Sequence, residues 1–164
     1  MSDESGQMTM EDVIKGAARE RSGTHANPRS TAYVDDFEEV GLAGEVAFAE
    51  LCGLMFDTSS QPNGDGGRDF LVPMAYTFDV KTSRKPYNLI HRVDRPFADI
   101  CVLAKKEPGH WRGRLLGWEW GLVLQKAPIK VFGDKGVLYH YIAVEELRPI
   151  AEIDRRIMRL RMGP

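Results

Sequence analysis

The pattern of apolar and polar positions predicts two helices in the first third of the chain. Apolar residues at 10, 13, 14, 17 and 18 have helical spacing, with Thr9 as the predicted cap. A second helix is predicted from Asp36 to Cys52, and Gly53 stands where a glycine commonly ends a helix. Residues 22–31 are rich in turn formers and are predicted to link the two helices.

Short apolar runs bounded by turn residues predict strands over the rest of the chain. The segment RDFLVPMAYTFDVKT, residues 68–82, is predicted to form a hairpin centred on Met74. The other predicted elements are strands at 54–57, 98–104 and 114–120, a hairpin at 130–144 and a closing helix at 145–160 that is interrupted near Pro149. This order of elements predicts an α/β fold in which a mixed central β-sheet is flanked by helices.

The predicted hairpin places two carboxylates against each other. With the turn at Met74, Asp69 pairs with Asp79, and side chains opposite each other on antiparallel strands lie about 4.5–5.5 Å apart at Cβ. Because residues i and i+2 of a strand share a face, Lys81 projects beside Asp79. Two adjacent carboxylates repel each other, whereas a hard divalent cation binds both. The hairpin therefore predicts a Mg²⁺ site with a lysine beside it.

One glutamate of the second predicted helix lies on or beside its apolar stripe. Glu45 shares a helix face with Leu42, Phe48 and Cys52, at spacings of three and seven residues. An isolated buried carboxylate is costly, so Glu45 is a candidate third acid of the cluster. Glu50 is a rival that spacing alone does not exclude, and a partly exposed helix glutamate is the alternative for Glu45 itself.

Three motifs in this order resemble the PD-(D/E)XK nuclease superfamily, which has the restriction-endonuclease-like fold. They are G-x-x-G-E in the second helix, RDFLV before the turn and FDVKT after it, and the resemblance covers about residues 38–121. It implies an αβββαβ core and Mg²⁺-dependent hydrolysis of phosphodiester bonds in DNA, with Mn²⁺ able to substitute. The proline of the superfamily's name is absent, because Gly67 and Arg68 precede Asp69.

The resemblance also assigns roles to individual residues. Asp69, Asp79 and Glu45 are the implied metal ligands, and Lys81 is implied to orient the attacking water. The backbone carbonyl of Val80, between the acid and the lysine, is implied to touch the metal as well. Asp65 in the loop NGDGGRD is an alternative acid, although this loop matches neither a calcium-binding EF-hand nor a phosphate-binding P-loop.

Basic residues are concentrated downstream of the hairpin. Residues 81–114 contain nine Lys or Arg and three Asp or Glu, whereas the remainder contains 13 basic and 21 acidic residues. Such an uneven distribution is compatible with phosphate binding on one face. The cations predicted to contact the DNA backbone, several of them in a loop after the catalytic strand, are Arg84, Lys85, Arg92, Arg95, Lys105 and Lys106.

The remaining features narrow the class of protein. No apolar run approaches the roughly 20 residues that span a bilayer, and the first residues lack the order of a signal peptide, so we expect a cytoplasmic protein without a membrane partner. Cys52 and Cys101 have apolar neighbours and are predicted to be buried thiols. The four histidines show no metal-ligand spacing along the chain.

These observations lead to one main hypothesis and two alternatives. Residues 1–30 are predicted to be an N-terminal tail and helix, and residues 31–164 a nuclease-like domain that acts on DNA, with a homodimer left open. The first alternative is a DNA-binding or assembly protein that keeps the fold without catalysis. The second is a structural protein in which Lys81 only neutralises the two carboxylates.

Overall fold

The computed structural model describes residues 9–24, 34–54, 70–71, 76–85, 88–132 and 136–153. These ranges contain the α-helices α1 (Met10–Thr24), α2 (Val34–Cys52) and α3 (Gly121–Leu124), a 3₁₀ helix, Val144–Glu146, and a helical segment at residues 150–153. Their strands are β1 (Phe70–Leu71), β2 (Thr77–Ser83), β3 (Asn88–Arg92), β4 (Ile100–Lys106), β5 (Gly113–Trp120), β6 (Ile129–Phe132) and β7 (Val137–Ala143).

The strands form two small sheets. Sheet A has the order β1-β2-β4-β5, with β2 and β4 parallel and the two outer pairs antiparallel. Sheet B has the order β3-β7-β6 and is antiparallel. The mixed α/β class is therefore confirmed, but the prediction of one central sheet is wrong, because β3, β6 and β7 pair with one another. The connection between the parallel strands β2 and β4 passes through β3 of sheet B.

Both predicted helices are present; α2 ends at Cys52 as predicted, whereas α1 extends to Thr24 and so includes residues 22–24 of the predicted linker. Thr9 caps α1, since its Oγ1 accepts a hydrogen bond of 3.2 Å from the Asp12 backbone N–H. Gly53 ends α2 with a positive φ of 57°. The Gly53 N–H donates to the Glu50 carbonyl at 3.3 Å, and the Leu54 N–H donates to the Ala49 carbonyl at 2.8 Å. This pair of bonds is a Schellman motif, which satisfies the last carbonyls of the helix.

Helix α2 lies against one face of sheet A because small residues let its backbone come close. A Cβ atom at Gly44 would overlap Thr82 Oγ1 on β2, and Thr82 Oγ1 donates a hydrogen bond of 3.3 Å to the Gly41 carbonyl. Farther along the helix, the Phe48 ring packs on Phe78 of β2 with centroids 4.9 Å apart. Helix α1 packs on another side of α2, where both helices contribute small or aliphatic residues, namely Ile14, Ala17, Ala18, Leu42 and Val46.

The two faces of sheet A are buried by different partners. Phe78 and Val80 point toward α2 and share a core with Phe48. Residues of β4 that point to the opposite face pack against β3, α3 and β7, in a second core of Leu89, Cys101, Leu103, Leu124 and Ile142. Cys52 and Cys101 are both buried, as predicted, but they belong to different cores.

Most of the predicted strands are confirmed, and two elements were not predicted. The strands at 98–104 and 114–120 are β4 and β5, and the hairpin at 130–144 is β6 and β7. Strand β3 and the short helix α3 were missed. Of the predicted strand 54–57, Leu54 follows α2 outside any strand and the rest lies outside the described residues. The closing helix is broken as expected near Pro149 and resumes at residue 150, and its predicted residues after 153 lie outside the described part.

None of the helices in the described ranges combines the length and the apolar character that a bilayer-spanning segment needs.

Candidate functional site

The acid-x-Lys pair of the sequence lies in the middle of β2. Asp79 is 1% exposed, and its Oδ1 lies 2.7 Å from Nζ of Lys81, whose side chain is 41% exposed. The alternation of a strand explains the contact, since Asp79 and Lys81 share the face that points away from α2. A carboxylate shielded from water is therefore neutralised by an ammonium that itself remains partly in water.

A histidine completes this buried group from the other sheet. His91 lies on β3 and is 3% exposed, and its Nε2 is 3.6 Å from Oδ2 of Asp79. The Phe97 ring stacks on the imidazole with centroids 4.0 Å apart and an interplanar angle of 22°. Among the described residues the cluster thus contains Asp79, Lys81 and His91, and His91 is a member that the sequence motifs did not indicate.

The hydrogen bond of His91 defines which ring nitrogen carries hydrogen. Nδ1 lies 2.9 Å from the carbonyl oxygen of Arg92, and a carbonyl only accepts, so Nδ1 is the donor. Burial lowers the pKa of His91 below its usual range, against the opposing effects of the Arg92 carbonyl and the Asp79 carboxylate. The neutral ring therefore presents the lone pair of Nε2 toward Asp79.

The register of the predicted hairpin is confirmed at both of its described pairs. Phe70 is opposite Phe78 and Leu71 is opposite Thr77, as a turn centred on Met74 requires. Asp69, the residue immediately before β1, lies outside the described residues, and so does Asp65.

Glu45 lies on α2 and is half-buried. A Cβ atom at Gly44 would meet Thr82 and Ala104, while Gly113 of β5 lies against Ala43. Glu45 is thus on the α2 side of sheet A, whereas Asp79 and Lys81 project from the other face.

The rival acid Glu50 and the predicted ligand Val80 have separate surroundings. Glu50 is exposed and accepts a hydrogen bond of 2.7 Å from Nη1 of Arg112. The Val80 side chain is buried in the core beneath α2. Only its backbone carbonyl, the atom named by the resemblance, is therefore suited to a polar role.

The predicted DNA-contacting cations do not form one basic loop. Arg92 is in strand β3, and its guanidinium donates two hydrogen bonds to Asp94, of 2.8 and 2.6 Å. The expectation of a basic loop is wrong at this point, because residues 88–92 pair with β7. Lys105 forms a 3.1 Å salt bridge with Glu107, and Lys106 lies 3.8 Å from Glu39 of α2.

The other five cations, apart from Arg92 in sheet B, divide between two ends of sheet A. Arg84 and Lys85 are exposed directly after β2, and Lys105 and Lys106 end the parallel neighbour β4, whose Lys105 is opposite Ser83. Arg95 is exposed at the opposite end, where it lines a cavity together with Tyr76 and Asp99, the residues just before β2 and β4. A nucleic acid that touches both groups must therefore extend along the length of the sheet.

One further buried acid lies in the same row of sheet A as Asp79. Asp79 is opposite Cys101, and Cys101 is opposite Glu119 of β5. Oε1 of Glu119 accepts hydrogen bonds of 2.9 Å from the Trp120 backbone N–H and from Nε of Arg148. These bonds give Glu119 a structural role, linking β5 to the segment that follows the 3₁₀ helix.

Sequence reasoning missed His91 because it looked for metal-ligand spacing along the chain. The signal that was present is the alternation in NLIHR, where Leu89 and His91 share the buried face of a short strand. A histidine on the buried face of a strand needs a polar partner, and here that partner is Asp79.

The donor set contains the atom types that bind a divalent cation. Asp79 supplies carboxylate oxygen and His91 supplies an imidazole nitrogen, and both belong to the common ligands of divalent ions. Among the described residues, no group of three or more His, Cys, Asp or Glu is placed to hold a metal ion. A complete site therefore requires a further ligand from Asp69, Glu45, the substrate or water.

Comparison of the chain with protein-family models, with curated proteins and with solved structures finds no match. The PD-(D/E)XK resemblance therefore remains a prediction from residues 38–121 of the sequence.

Proposed function

We propose that this chain is a divalent-metal-dependent nuclease that hydrolyses phosphodiester bonds in DNA. The observation that carries the proposal is the register of β1 against β2. Phe70 pairs with Phe78 and Leu71 with Thr77. Extended by one residue, this register would place position 69 opposite position 79, and this extrapolation supports the proposal that both aspartates of the motif hold one metal ion.

The proposed roles follow from the chemistry of each side chain. Asp79 and Asp69 hold a Mg²⁺ or Mn²⁺ ion, and Glu45 completes the proposed cluster, directly or through water. Lys81, whose ammonium is half in water, holds the attacking water or the charge that develops on the phosphate. A bound divalent ion supplies Lewis-acid activation of the phosphate and lowers the pKa of a bound water.

The proposed fold is a restriction-endonuclease-like core with one departure. The order α2, β1, β2 and then β4 parallel to β2 supports this proposal. The family pattern αβββαβ has a helix in the connection before its last strand, whereas this chain has β3 at that position. Because β3 takes the place of that helix, His91 lies next to Asp79.

The proposal is tested by cleavage of plasmid and single-stranded DNA with Mg²⁺, Mn²⁺ or EDTA. We expect metal-dependent cleavage by the wild-type chain and a loss of at least about 100-fold in Asp79→Asn and Lys81→Ala, because general acid–base and electrostatic contributions are typically of that size. Lys15→Ala, a change on exposed α1, is the matched control and keeps full activity. Cleavage that survives both site variants would contradict the assignment.

A second candidate is a DNA-binding or assembly protein that keeps the fold without catalysis. The observation in its favour is the burial of Asp79 together with the Lys81 ammonium at 2.7 Å, an arrangement that neutralises the carboxylate without a metal. This candidate predicts DNA binding that weakens steeply with salt, and no metal-dependent cleavage by any variant.

A further inference from the structure

We propose that His91 binds the metal ion of this site directly through Nε2, so that the site prefers ions that accept nitrogen ligands, such as Mn²⁺, Co²⁺ or Zn²⁺. The inference rests on the proposed metal site at Asp79. It goes beyond that proposal by adding a ligand from sheet B and by naming the class of metal.

The lone pair of the His91 ring lies on the nitrogen that faces Asp79. Because Nδ1 donates to the Arg92 carbonyl at 2.9 Å, the neutral ring carries its lone pair on Nε2. That nitrogen faces Oδ2 of Asp79 at 3.6 Å, and the ammonium of Lys81 lies at the other oxygen, Oδ1. Two atoms that both offer lone pairs repel each other unless a proton or a cation lies between them.

The distance between Nε2 of His91 and Oδ2 of Asp79 fits two ligand atoms on one metal ion. Metal–nitrogen and metal–oxygen bonds of the first-row ions are about 2.0–2.2 Å long, so neighbouring ligand atoms on one ion lie roughly 3.0–3.6 Å apart. The separation of 3.6 Å between Nε2 and Oδ2 lies at the upper end of this interval. It exceeds a direct N–H···O hydrogen bond, which is usually about 2.7–3.2 Å long.

The His91 imidazole is held in the manner of a metal-bound histidine. Metal-bound histidines almost always donate their other ring N–H to a carboxylate, a backbone carbonyl or water, which fixes the ring and raises its basicity. His91 makes this contact with the Arg92 carbonyl, and the stacked Phe97 ring restricts its rotation.

The choice of metal follows from the donor atoms. Mg²⁺ binds oxygen ligands and releases its water reluctantly, whereas imidazole suits the transition metals. A site with one nitrogen and one or more carboxylates should therefore bind Mn²⁺ or Co²⁺ more tightly than Mg²⁺. The alternative is a proton shared between His91 and Asp79, with any metal held by oxygen atoms alone.

The test is pulsed electron paramagnetic resonance of the full chain with bound Mn²⁺, which detects a coordinated ¹⁴N nucleus. We expect nitrogen coupling in the wild type, its loss in His91→Gln, and Mn²⁺ affinity at least about tenfold weaker in that variant, as for other changes around metal ligands. His140→Gln is the matched control, because His140 is opposite His91 in sheet B and also bonds a backbone carbonyl. The control keeps the nitrogen coupling.

Wild-type protein without nitrogen coupling, or coupling that persists in His91→Gln, would overturn the inference. If His91→Gln does not fold by circular dichroism, a chain with the other three histidines replaced keeps only His91, and its Mn²⁺ spectrum must still show nitrogen. Cleavage with Mg²⁺ but no nitrogen coupling removes this inference and leaves the nuclease proposal. Nitrogen coupling without cleavage removes the nuclease proposal and leaves the inference that His91 binds the metal.

Discussion

At the scale of single residues, the central feature of the proposed site is the buried carboxylate of Asp79. Its two oxygens face different partners, the Lys81 ammonium at 2.7 Å and the His91 imidazole at 3.6 Å. A buried charge is tolerated only with such compensation. In the proposed function, this carboxylate, already oriented in a region of low dielectric, holds a cation.

Removing the ammonium should destabilise the fold more than removing the carboxylate. Lys81→Met leaves Asp79 charged and buried, and we expect a loss of about 2–3 kcal/mol in the free energy of unfolding, below the roughly 3–5 kcal/mol typical of fully buried pairs because Lys81 is 41% exposed. Asp79→Asn leaves a lysine that water can solvate, so its loss is smaller, about 1 kcal/mol. Urea denaturation measures the free energy of unfolding of both variants. A larger loss in Asp79→Asn than in Lys81→Met would contradict this expectation.

At the scale of the elements, the approach of α2 to sheet A depends on one glycine. A Cβ atom at Gly44 would overlap Thr82 Oγ1 and lie 2.9 Å from the Ala104 Cβ, whereas Gly41, one turn earlier, has nothing within 4 Å of an added Cβ. The two glycines therefore form a natural pair of test and control. Both stand in the same helix, and only at Gly44 would an added Cβ atom meet the sheet.

Gly44→Ala should separate α2 from β2, while Gly41→Ala should be neutral or stabilising. We expect Gly44→Ala to lose about 1–3 kcal/mol through overpacking. Gly41→Ala gains up to about 1 kcal/mol of helix propensity. Thermal or urea denaturation provides the values. Equal effects of the two substitutions would show that the close contact at Gly44 is incorrect.

The elements also show which features a single sequence can reveal. The β1–β2 register followed from a turn at Met74, and the Asp79–Lys81 contact followed from strand alternation, because both are local. The position of His91 depends on β3 pairing with β7, some 50 residues later, and on sheet B packing against sheet A. Pairing over such a separation leaves little trace in local periodicity, so the cations around β3 were assigned to a loop.

For the whole molecule, the basic segment is less positive on the surface than its composition suggests. Asp94 and Glu107, two of the acids within it, form salt bridges with Arg92, Lys105 and Arg114. Cations already paired with acids release fewer counterions when DNA binds, so under the proposed function we expect the DNA backbone contacts at exposed positions such as Lys85 and Arg95. We therefore expect modest DNA affinity that depends more on the active-site metal than on a broad basic surface.

The proposed function depends on one divalent cation held by Asp69 and Asp79. Stabilisation of the native state by added Mn²⁺ tests this proposal most directly. A ligand at 100 times its dissociation constant stabilises the native state by about 2.7 kcal/mol, which raises the midpoint of thermal unfolding by roughly 5–10 °C in a chain of this size. We predict this rise with Mn²⁺ in the wild type and in Lys15→Ala, and its absence in Asp69→Asn and Asp79→Asn. A wild-type midpoint that Mn²⁺ leaves unchanged, or a rise that persists in both aspartate variants, would contradict the account.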